Sequence, residues 1–269
     1  MSGRARSTLV AGATVEAAAR TPFGRAPRFL EPGGHTAYGG TVEYRLGKLA
    51  DRGLIRGSWL DVGCAQGYWT VELEQRGADS VIGIEPVEAL IAQARDLPHP
   101  SAVSYGVAEA EALPFADDSF DGVLMNEVLE HVRDEAATLR EVARVLRPGG
   151  HLVLFGPNRW FPFEGHGARL NERTSLLSKP VPLMPWLPSR VTRRFATARN
   201  YWPHQLSRLV SEAGLDVVEQ TWALAQFDRY RWMPRSMIPA YQQRIERIER
   251  SPLCRFLAVS TLLIAQARD

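Results

Sequence analysis

The feature that most constrains this chain is a glycine-containing turn, with the sequence LDVGCAQG over residues 60–67. The turn follows a short apolar strand pattern (Trp59 to Val62) and precedes a helical pattern (Tyr68 to Arg76). Because glycine has no side chain, it permits a tight turn in which a ligand lies against the backbone. The segment therefore predicts a strand–turn–helix unit with a ligand at the turn. A strand–turn–helix unit without any ligand has the same local pattern, so the turn alone leaves both interpretations open.

An acidic residue at the end of the next strand pattern indicates what the ligand is. The apolar segment 81–84 ends in Glu85. A carboxylate accepts two hydrogen bonds at once, which suits the two hydroxyl groups of a ribose. The carboxyl ends of neighbouring parallel strands meet at one edge of a sheet, where α/β proteins bind such ligands. The two segments together therefore predict a nucleoside site at that edge.

The glycine spacing argues against a nicotinamide dinucleotide as the ligand. The dinucleotide fingerprint G-x-G-x-x-G, started at Gly63, would place its third glycine at position 68, where this chain has Tyr68. The last glycine of the turn is instead Gly67, and Asp61 stands two residues before Gly63. A nicotinamide-dependent oxidoreductase therefore fails on spacing, and only observed binding of NAD would revive it.

Helical and strand patterns alternate along most of the chain, which predicts an α/β fold with a doubly wound, mainly parallel sheet. The helical patterns cover residues 38–52, 68–76, 87–95, 134–146 and 203–213. The strand patterns cover residues 59–62, 80–85, 103–107, 120–125, 151–155, 215–221 and 260–267. These seven strand patterns predict a seven-stranded sheet.

Three segments depart from the alternating pattern. Residues 1–30 carry small residues and scattered arginines without the apolar core of a signal peptide, so we expect a flexible N-terminal arm; an organelle transit peptide is the alternative. Residues 31–269 would form the folded domain. Within it, residues 156–202 are irregular and rich in Pro, Trp, Phe and Arg, which predicts a cap insert over a ligand. Residues 222–252 would form a second insert, with a helical pattern over 241–250.

Charge and composition exclude several classes of protein. The formal net charge is only +2, so no overall basic field indicates a nucleic-acid partner. No apolar segment reaches the roughly 18–20 residues of a membrane span. Two cysteines do not make a disulfide framework. We therefore expect a cytoplasmic protein without a nucleic-acid partner. Peripheral contact with an anionic membrane through the cap stays open, and the oligomeric state is not predicted.

Four ordered segments resemble the motifs of class I S-adenosylmethionine (SAM)-dependent methyltransferases, in the methyltransferase type 11 (ubiquinone/menaquinone-methyltransferase-like) branch. They read LDVGCAQGYWT, IGIEP, AEAEALPFADDSFDGVLMNEVLEHV and LREVARVLRPGGHLVLFGPN. The resemblance covers about residues 35–158, and residues 200–221 more loosely. One departure is Ala65, which replaces the middle glycine of the family motif; a methyl group is small enough to be tolerated there. The resemblance implies a Rossmann-like, mostly parallel sheet with an antiparallel last strand, and SAM as cofactor with S-adenosylhomocysteine as product.

The resemblance also implies which residues hold the cofactor. Glu85 would hold the ribose hydroxyl groups, and Pro86 would lie near the adenine. The methionine end of SAM would be framed by the first motif, through Asp61, Gly63, Ala65 and Gly67.

Three further positions follow from the third motif. Glu109 would accept a hydrogen bond from the adenine amino group, and Ala110 would supply a backbone donor. Asn126 would face the sulfonium group. For Glu109 the alternative is a solvated charge beside Glu111.

A run of ionisable residues follows the strand pattern 120–125. Glu127, Glu130 and His131 would share one face of a helix, because they stand at positions i, i+3 and i+4. Two carboxylates and an imidazole on one face make half of a metal site, which His166 would complete. We do not favour a metal, because this motif also occurs in the branch without one. The simpler interpretation is that His131 packs near the site and that Glu130 caps a helix or pairs locally. His131 is also a candidate catalytic residue.

The cap carries a second candidate pair, Glu164 and His166, within the sequence FPFEGHG. A carboxylate and an imidazole two residues apart can act as a general base and the group that orients it. The alternative is an ordinary loop whose aromatic residues pack on the core.

The resemblance implies transfer of a methyl group from SAM to a small molecule. The aromatic and leucine residues of the cap favour an apolar or aromatic acceptor, such as a specialised metabolite, a quinone or an isoprenoid-like intermediate. We expect O-methylation ahead of C- or N-methylation. One alternative is a SAM-fold enzyme that catalyses cyclisation or decarboxylation without methyl transfer. The other is a non-catalytic SAM-binding module.

Overall fold

The computed structural model describes residues 39–164, 168–169, 175–177, 181–192, 195–196, 198–224, 249 and 252–268. The helices are α1 (Gly39–Ala50), α2 (Tyr68–Gln75), α3 (Glu88–Asp96), α4 (Glu135–Val145), α5 (Ser189–Thr192) and α6 (Pro203–Glu212). The long strands are β1 (Ser58–Val62), β2 (Ser80–Glu85), β3 (Val103–Val107), β4 (Phe120–Asn126), β5 (Leu146–Pro157), β10 (Leu215–Leu224) and β11 (Ala258–Ala267). The short strands are β6 (Phe163–Glu164), β7 (Ala168–Arg169), β8 (Ser175–Leu177) and β9 (Val181–Pro182).

The seven long strands form one sheet in the order β10-β11-β5-β4-β1-β2-β3. Strands β1 to β5 pair in parallel. Strand β11 pairs antiparallel with both β5 and β10. This topology confirms the predicted Rossmann-like sheet of seven strands with an antiparallel last strand.

Both faces of the sheet are buried under helices, which confirms the doubly wound arrangement. One apolar cluster joins residues of α1, α2 and α3 to Trp59, Leu124 and Phe155. A second cluster on the opposite face joins residues of α4 and α6 to Leu60 and Val123. Because the central strands are buried on both faces, their sequences are continuous apolar runs rather than alternating patterns. Each fully buried large apolar side chain stabilises the fold by roughly 1.5–3 kcal/mol.

Strand boundaries follow the sequence patterns closely, except at β5. The predicted strand starts at His151, whereas β5 already begins at Leu146. Leu146 pairs with Phe120, and the register shifts before Gly122 pairs with His151. The Arg-Pro-Gly-Gly segment thus continues the strand as an irregular extension instead of separating it from α4.

The expected helix at residues 127–131 is wrong. These residues form a turn after β4, and α4 begins only at Glu135, where the side chain of Asp134 accepts a hydrogen bond from the amide of Ala137 (2.9 Å). Glu127 has a left-handed backbone conformation (φ 58°), which interrupts any helix at that residue. The predicted shared helical face of Glu127, Glu130 and His131 therefore does not exist.

The described part of the cap contains short paired strands. β6 pairs with β9, and β7 pairs with β8, both antiparallel. A single 3₁₀ turn (Met184–Trp186) and α5 complete this part. Of the helical pattern 241–250, only residue 249 lies inside the described residues. Among the described residues, no helix is long and apolar enough to cross a membrane.

Candidate functional site

The glycine turn between β1 and α2 forms a backbone cradle. Gly63, Ala65 and Gly67 all have positive φ angles, of 73°, 49° and 80°. The amides of Gly63 and Cys64 donate to the carbonyl oxygen of Ile84 on β2 (2.8 and 2.9 Å). The turn is thereby held against the carboxyl end of β2.

Neighbouring side chains also leave no room for a Cβ atom at the two glycines of this cradle. A Cβ atom on Gly63 would lie 2.5 Å from Cγ2 of Val128, and one on Gly67 would collide with the ring of Tyr105. The hydroxyl of Tyr105 in turn donates to the carbonyl oxygen of Gly67 (3.2 Å). Any side chain at either position would therefore push the backbone away from its neighbours.

Ala65 shows what the departure from the family motif costs. An alanine in the left-handed region is strained by roughly 1 kcal/mol or more, since its Cβ crowds the backbone. The chain accepts this strain, and the amide of Ala65 donates to Oε2 of Glu85 (3.3 Å). The substitution therefore preserves the shape of the turn at the expense of some stability.

Asp61 lies beneath the cradle and is almost fully buried. Its Oδ2 accepts a hydrogen bond from the hydroxyl of Thr70 (2.7 Å), in the first turn of α2. Burial raises the pKa of the Asp61 carboxyl to about 7, and the hydrogen bond from Thr70 opposes that rise. In this geometry Asp61 joins the end of β1 to the start of α2 and so supports the cradle from below.

Glu85 lies at the carboxyl end of β2, beside the cradle. Its Oε1 accepts from the amide of Val87 (3.2 Å), and its Oε2 accepts from the amide of Ala65. Burial raises the pKa of Glu85, and these two amides counteract the rise by stabilising the charged form. The carboxylate is therefore held in one orientation at the sheet edge, followed by the exposed Pro86.

Glu109 and Ala110 follow β3, as the sequence predicts. Ala110 is buried. Glu109 forms an ion pair with the guanidinium of Arg133 (3.0 Å). Glu111 accepts a hydrogen bond from the amide of Arg133 (2.7 Å). Both acids thus hold the turn that follows β4, and the adenine contact of Glu109 stays a prediction.

A buried polar network at the end of β4 surrounds Asn126. Arg45, from α1, donates to Oδ1 of Asn126 (2.5 Å) and to the hydroxyl of Ser260 on β11 (2.6 Å). The same guanidinium forms an ion pair with Glu127 (2.8 Å) and lies over the ring of Phe155. Ser260 also donates to Glu127. The network ties α1 and β11 to the residue predicted to face the sulfonium.

The motifs do not point to Arg45 or Ser260, but one signal for Arg45 is present in the sequence. Val42, Leu46 and Leu49 form the buried stripe of α1. Arg45 stands three residues after Val42, so it falls on that stripe. A charged residue on an otherwise apolar helical face indicates a buried partner elsewhere in the chain.

The candidate catalytic residues are brought together only in part. His131 lies in the turn after β4, with its Nε2 at 3.8 Å from Oε1 of the fully buried Glu130. Glu127 points instead into the Arg45 network. Within the described residues, no three His, Cys, Asp or Glu side chains are arranged to hold a metal ion. The backbone of Glu164 pairs with Val181, whereas His166 lies outside the described residues. The catalytic and metal roles of these residues stay predictions.

Comparison with known proteins agrees with this geometry. A family model described as "Methyltransferase domain" matches residues 60–154. The chain is 31% identical over 186 residues to the ubiquinone biosynthesis O-methyltransferase of Dinoroseobacter shibae. This alignment covers 63% of this chain and 68% of that protein. It is 41% identical over 100 residues to the O-methyltransferase resE of Aspergillus sclerotiorum, which covers 35% and 38%. The first curated relatives are thus matched over less than two thirds of their length, as in the Agrobacterium fabrum ubiquinone biosynthesis O-methyltransferase, at 65%.

Solved structures share the fold at low sequence identity. A putative methyltransferase, solved in a complex with the Haloferax volcanii Trm112 methyltransferase activator, superposes with a TM-score of 0.61 at 18% identity, over 93% of this chain and 99% of that chain. A SAM-dependent methyltransferase of Mesorhizobium loti superposes with a TM-score of 0.56 at 19% identity, over 84% and 97%. These likenesses match the sheet described above. Taken together with the curated relatives, they show that this chain belongs to the class I SAM-dependent methyltransferase family, in its methyltransferase type 11 branch.

Proposed function

We propose that this protein transfers a methyl group from SAM to a small, largely apolar acceptor, and that an oxygen atom of the acceptor is the favoured nucleophile. The observation that carries the proposal is the backbone cradle beside Glu85 at the carboxyl edge of β1 and β2. The relatives named as O-methyltransferases support the choice of oxygen.

The residues at the cradle fit SAM. The positive φ angles and the absent Cβ atoms of Gly63 and Gly67 let a ligand approach the backbone closely. Glu85 offers a carboxylate held in one orientation by two amides, as a ribose diol requires. When bound, SAM supplies an electrophilic methyl group on a positively charged sulfur. Asp61, Gly63, Ala65, Gly67, Glu85, Pro86, Glu109, Ala110 and Asn126 would hold it.

The protein contributes mainly by holding the acceptor in line with the methyl group. Positioning of this kind supplies much of the rate enhancement in a displacement reaction. Arg45 holds Asn126 at the edge of β4, and Ser260 braces the same network from β11. The rigid network would define one side of the space between cofactor and acceptor.

An oxygen nucleophile has to lose a proton, so a general base is required. His131 is a candidate, because its side chain is one-fifth exposed and a buried carboxylate, Glu130, lies behind it. Such a carboxylate can orient an imidazole and stabilise its protonated form. His166 and Glu164 are the other candidates, on the evidence of sequence alone.

The cap supports an apolar acceptor. It exposes several large apolar side chains, among them Phe163, Leu183, Trp186, Leu187 and Val191. Arg159, just past β5, donates to the carbonyl oxygens of Pro185 and Leu187 (2.7 Å each). These two bonds tie the cap to the carboxyl edge of the sheet, next to the proposed methyl-transfer site.

A cytoplasmic location and the lack of a nucleic-acid partner follow from composition and remain part of the proposal.

The experiment that tests the proposal begins with calorimetric titration of the purified protein with SAM, with NAD as the control ligand. We expect micromolar binding of SAM and no heat from NAD. Acceptor candidates are then incubated with the protein and SAM, and the masses of the products are measured by mass spectrometry. A gain of one methylene unit supports methyl transfer, whereas conversion without that gain identifies a cyclisation or decarboxylation. Absence of SAM binding would contradict the proposal.

A further inference from the structure

A cluster of aromatic rings with an arginine, Arg255, lies just beyond β5. Arg159 lies beside it, with its guanidinium carbon 5.2 Å from the ring centroid of Trp202, and donates to the cap carbonyls of Pro185 and Leu187. The ring of Trp160 contacts Trp202 and Phe256 edge to face, with centroids 4.8 and 5.2 Å apart. The guanidinium carbon of Arg255 lies 4.6 Å from the ring centroid of Trp160 and 5.1 Å from that of Phe256. All four side chains are partly exposed, so a ligand can reach them from the surface. We call Trp160, Trp202, Arg255 and Phe256 the aromatic–arginine cluster.

The aromatic–arginine cluster belongs to the same sheet edge as the cofactor cradle. The side-chain amide of Asn158, directly after β5, donates to the carbonyl oxygens of Arg255 (2.7 Å) and Ala258 (2.8 Å). β11 begins at Ala258, and its Ser260 pairs with Pro157 at the end of β5 and with Arg45. The cradle and Glu85 lie on the other side of β4, on β1 and β2. The cluster and the cradle therefore flank the end of β4 from opposite sides.

Arg255 carries a charge that the described part of the chain does not neutralise. None of the described carboxylates forms an ion pair with it, and its Nε is buried without a hydrogen-bond partner. A buried donor without a partner destabilises the folded protein, because it has lost its hydrogen bonds to water. Contact with two aromatic faces offsets part of this cost but satisfies no N–H group. At least one donor of the guanidinium, Nε, is thus unpaired, and the planar shape of this group matches the two oxygens of a carboxylate or phosphate.

We propose that the aromatic–arginine cluster is the acceptor subsite, and that it takes a flat aromatic molecule carrying an anionic group, a carboxylate or a phosphate. The rings of Trp160, Trp202 and Phe256 contact the apolar body of the acceptor, and Arg255 pairs with its anionic group. The proposal rests on the proposed function, because it names the chemical class of the acceptor. Its position across β4 from the cradle fits displacement, since the nucleophile has to approach the methyl carbon from the side opposite the sulfur that leaves.

Fluorine NMR titration of the full chain tests the subsite. The protein is saturated with S-adenosylhomocysteine and titrated with three probes: 4-fluorobenzoate, 4-fluorophenyl phosphate and the neutral 4-fluorobenzamide. We expect at least one anionic probe to bind about tenfold more tightly than the amide, since a hydrogen bond between charged groups is stronger than one between a charged and a neutral group. The anion that binds more tightly distinguishes a carboxylate acceptor from a phosphate acceptor.

Substitutions then assign the preference to Arg255. Arg255→Met should bind all three probes equally, and Arg208→Met, on the exposed side of α6, should keep the wild-type preference. Arg255→Lys keeps the charge and serves as the second variant if Arg255→Met does not fold. It should lose part of the preference, because an ammonium group lacks the planar fork. Equal binding of charged and neutral probes to the wild type, or an unchanged preference in both Arg255 variants, would overturn the proposal.

Failure of the proposed function is recognised separately. Binding of S-adenosylhomocysteine is measured in the same samples before any probe is added, and its absence counts against the cofactor assignment alone. The probes are then titrated into the protein without that ligand, where the same preference and the same loss in Arg255→Met are expected.

Discussion

The two sides of the sheet's carboxyl edge are built in different ways. On the cofactor side, the cradle and Glu85 are held by backbone amides and carbonyls of β1, β2 and the turn between β1 and α2. On the proposed acceptor side, the polar network of Arg45 and the aromatic–arginine cluster are held by side chains from segments far apart in the chain. A site made from backbone depends on turn conformation, so it recurs across a family and can be recognised from a short motif. A site made from side chains depends on which residues meet in the folded chain, so a short motif does not reveal it.

The largest expected effect lies on the cofactor side, at Gly67. Gly67→Ala should destabilise the protein by about 3 kcal/mol and abolish SAM binding, because it adds backbone strain and a collision with Tyr105. Gly53→Ala is the matched control, since Gly53 has a similar φ (63°) but nothing within 4 Å of an added Cβ. It should cost only about 1 kcal/mol. Equal losses in urea denaturation would show that strain, rather than crowding, dominates the cradle.

Glu85 tests whether the cofactor side binds a ribose. Glu85→Ala should weaken SAM binding roughly 50-fold, since two hydrogen bonds to a charged acceptor are lost. Glu88→Ala, on the exposed first turn of α3, should leave the affinity unchanged. Calorimetric titration measures both variants. An unaltered affinity in Glu85→Ala would remove Glu85 from the cofactor site.

Arg45 tests the link between the two sides. Arg45→Met should cost roughly 2 kcal/mol, because it leaves Glu127 and Asn126 without their shared donor. The control is Arg52→Met, which removes the more exposed ion pair with Glu219 and should cost well under about 1 kcal/mol. Adding Glu127→Gln to Arg45→Met should recover part of the loss. Strict additivity of the two substitutions would show that the pair does not couple the sides.

The buried Asp61 predicts a pH dependence of stability. The pKa of an aspartate in the unfolded chain is about 3.9. Burial raises the pKa of Asp61 to about 7 in the folded state. The folded state alone holds the proton between these values, so stability falls as the pH rises from about 4 to about 7. Asp61→Asn should remove roughly 2 kcal/mol of the fall between pH 5 and pH 8, seen by urea denaturation. Asp96→Asn, on the exposed end of α3, should behave as the wild type, and an identical pH profile in Asp61→Asn would contradict the prediction.

The smallest expected effect restores the family residue at position 65. Ala65→Gly should stabilise the protein by about 1 kcal/mol, because glycine adopts the positive φ angle without strain. SAM affinity should stay within about twofold, since the amide that donates to Glu85 is retained. Loss of stability in this variant would mean that the methyl group of Ala65 makes a favourable contact in the cradle. The melting temperatures of the wild type and of Ala65→Gly measure the change in stability.

The fold could be predicted almost completely from the sequence, and the site only on one side. The glycine turn, the strand ending in Glu85 and the strands β3 and β4 lie where their patterns indicate, because each pattern occupies a continuous stretch of chain, whereas β5 begins earlier than its pattern. The turn at residues 127–131 was not predictable from spacing. A helical i, i+3, i+4 pattern is present there, but Glu127 adopts a left-handed conformation and joins Arg45 and Ser260 instead. Tertiary contacts outweighed local propensity at this point.

The sequence by itself determined the sheet, the cradle and therefore the family, because glycine conformation and strand periodicity are local properties of the chain. Only the tertiary structure decided which side chains form the proposed acceptor side. Arg45 and Ser260 are 215 positions apart, and Arg255 and Trp160 are also far apart in the sequence, so no short sequence window contains either pair. The physical reason is that the carboxyl ends of the parallel strands, the start of the antiparallel β11 and helix α1 meet at one edge of the sheet, where residues distant in sequence become neighbours.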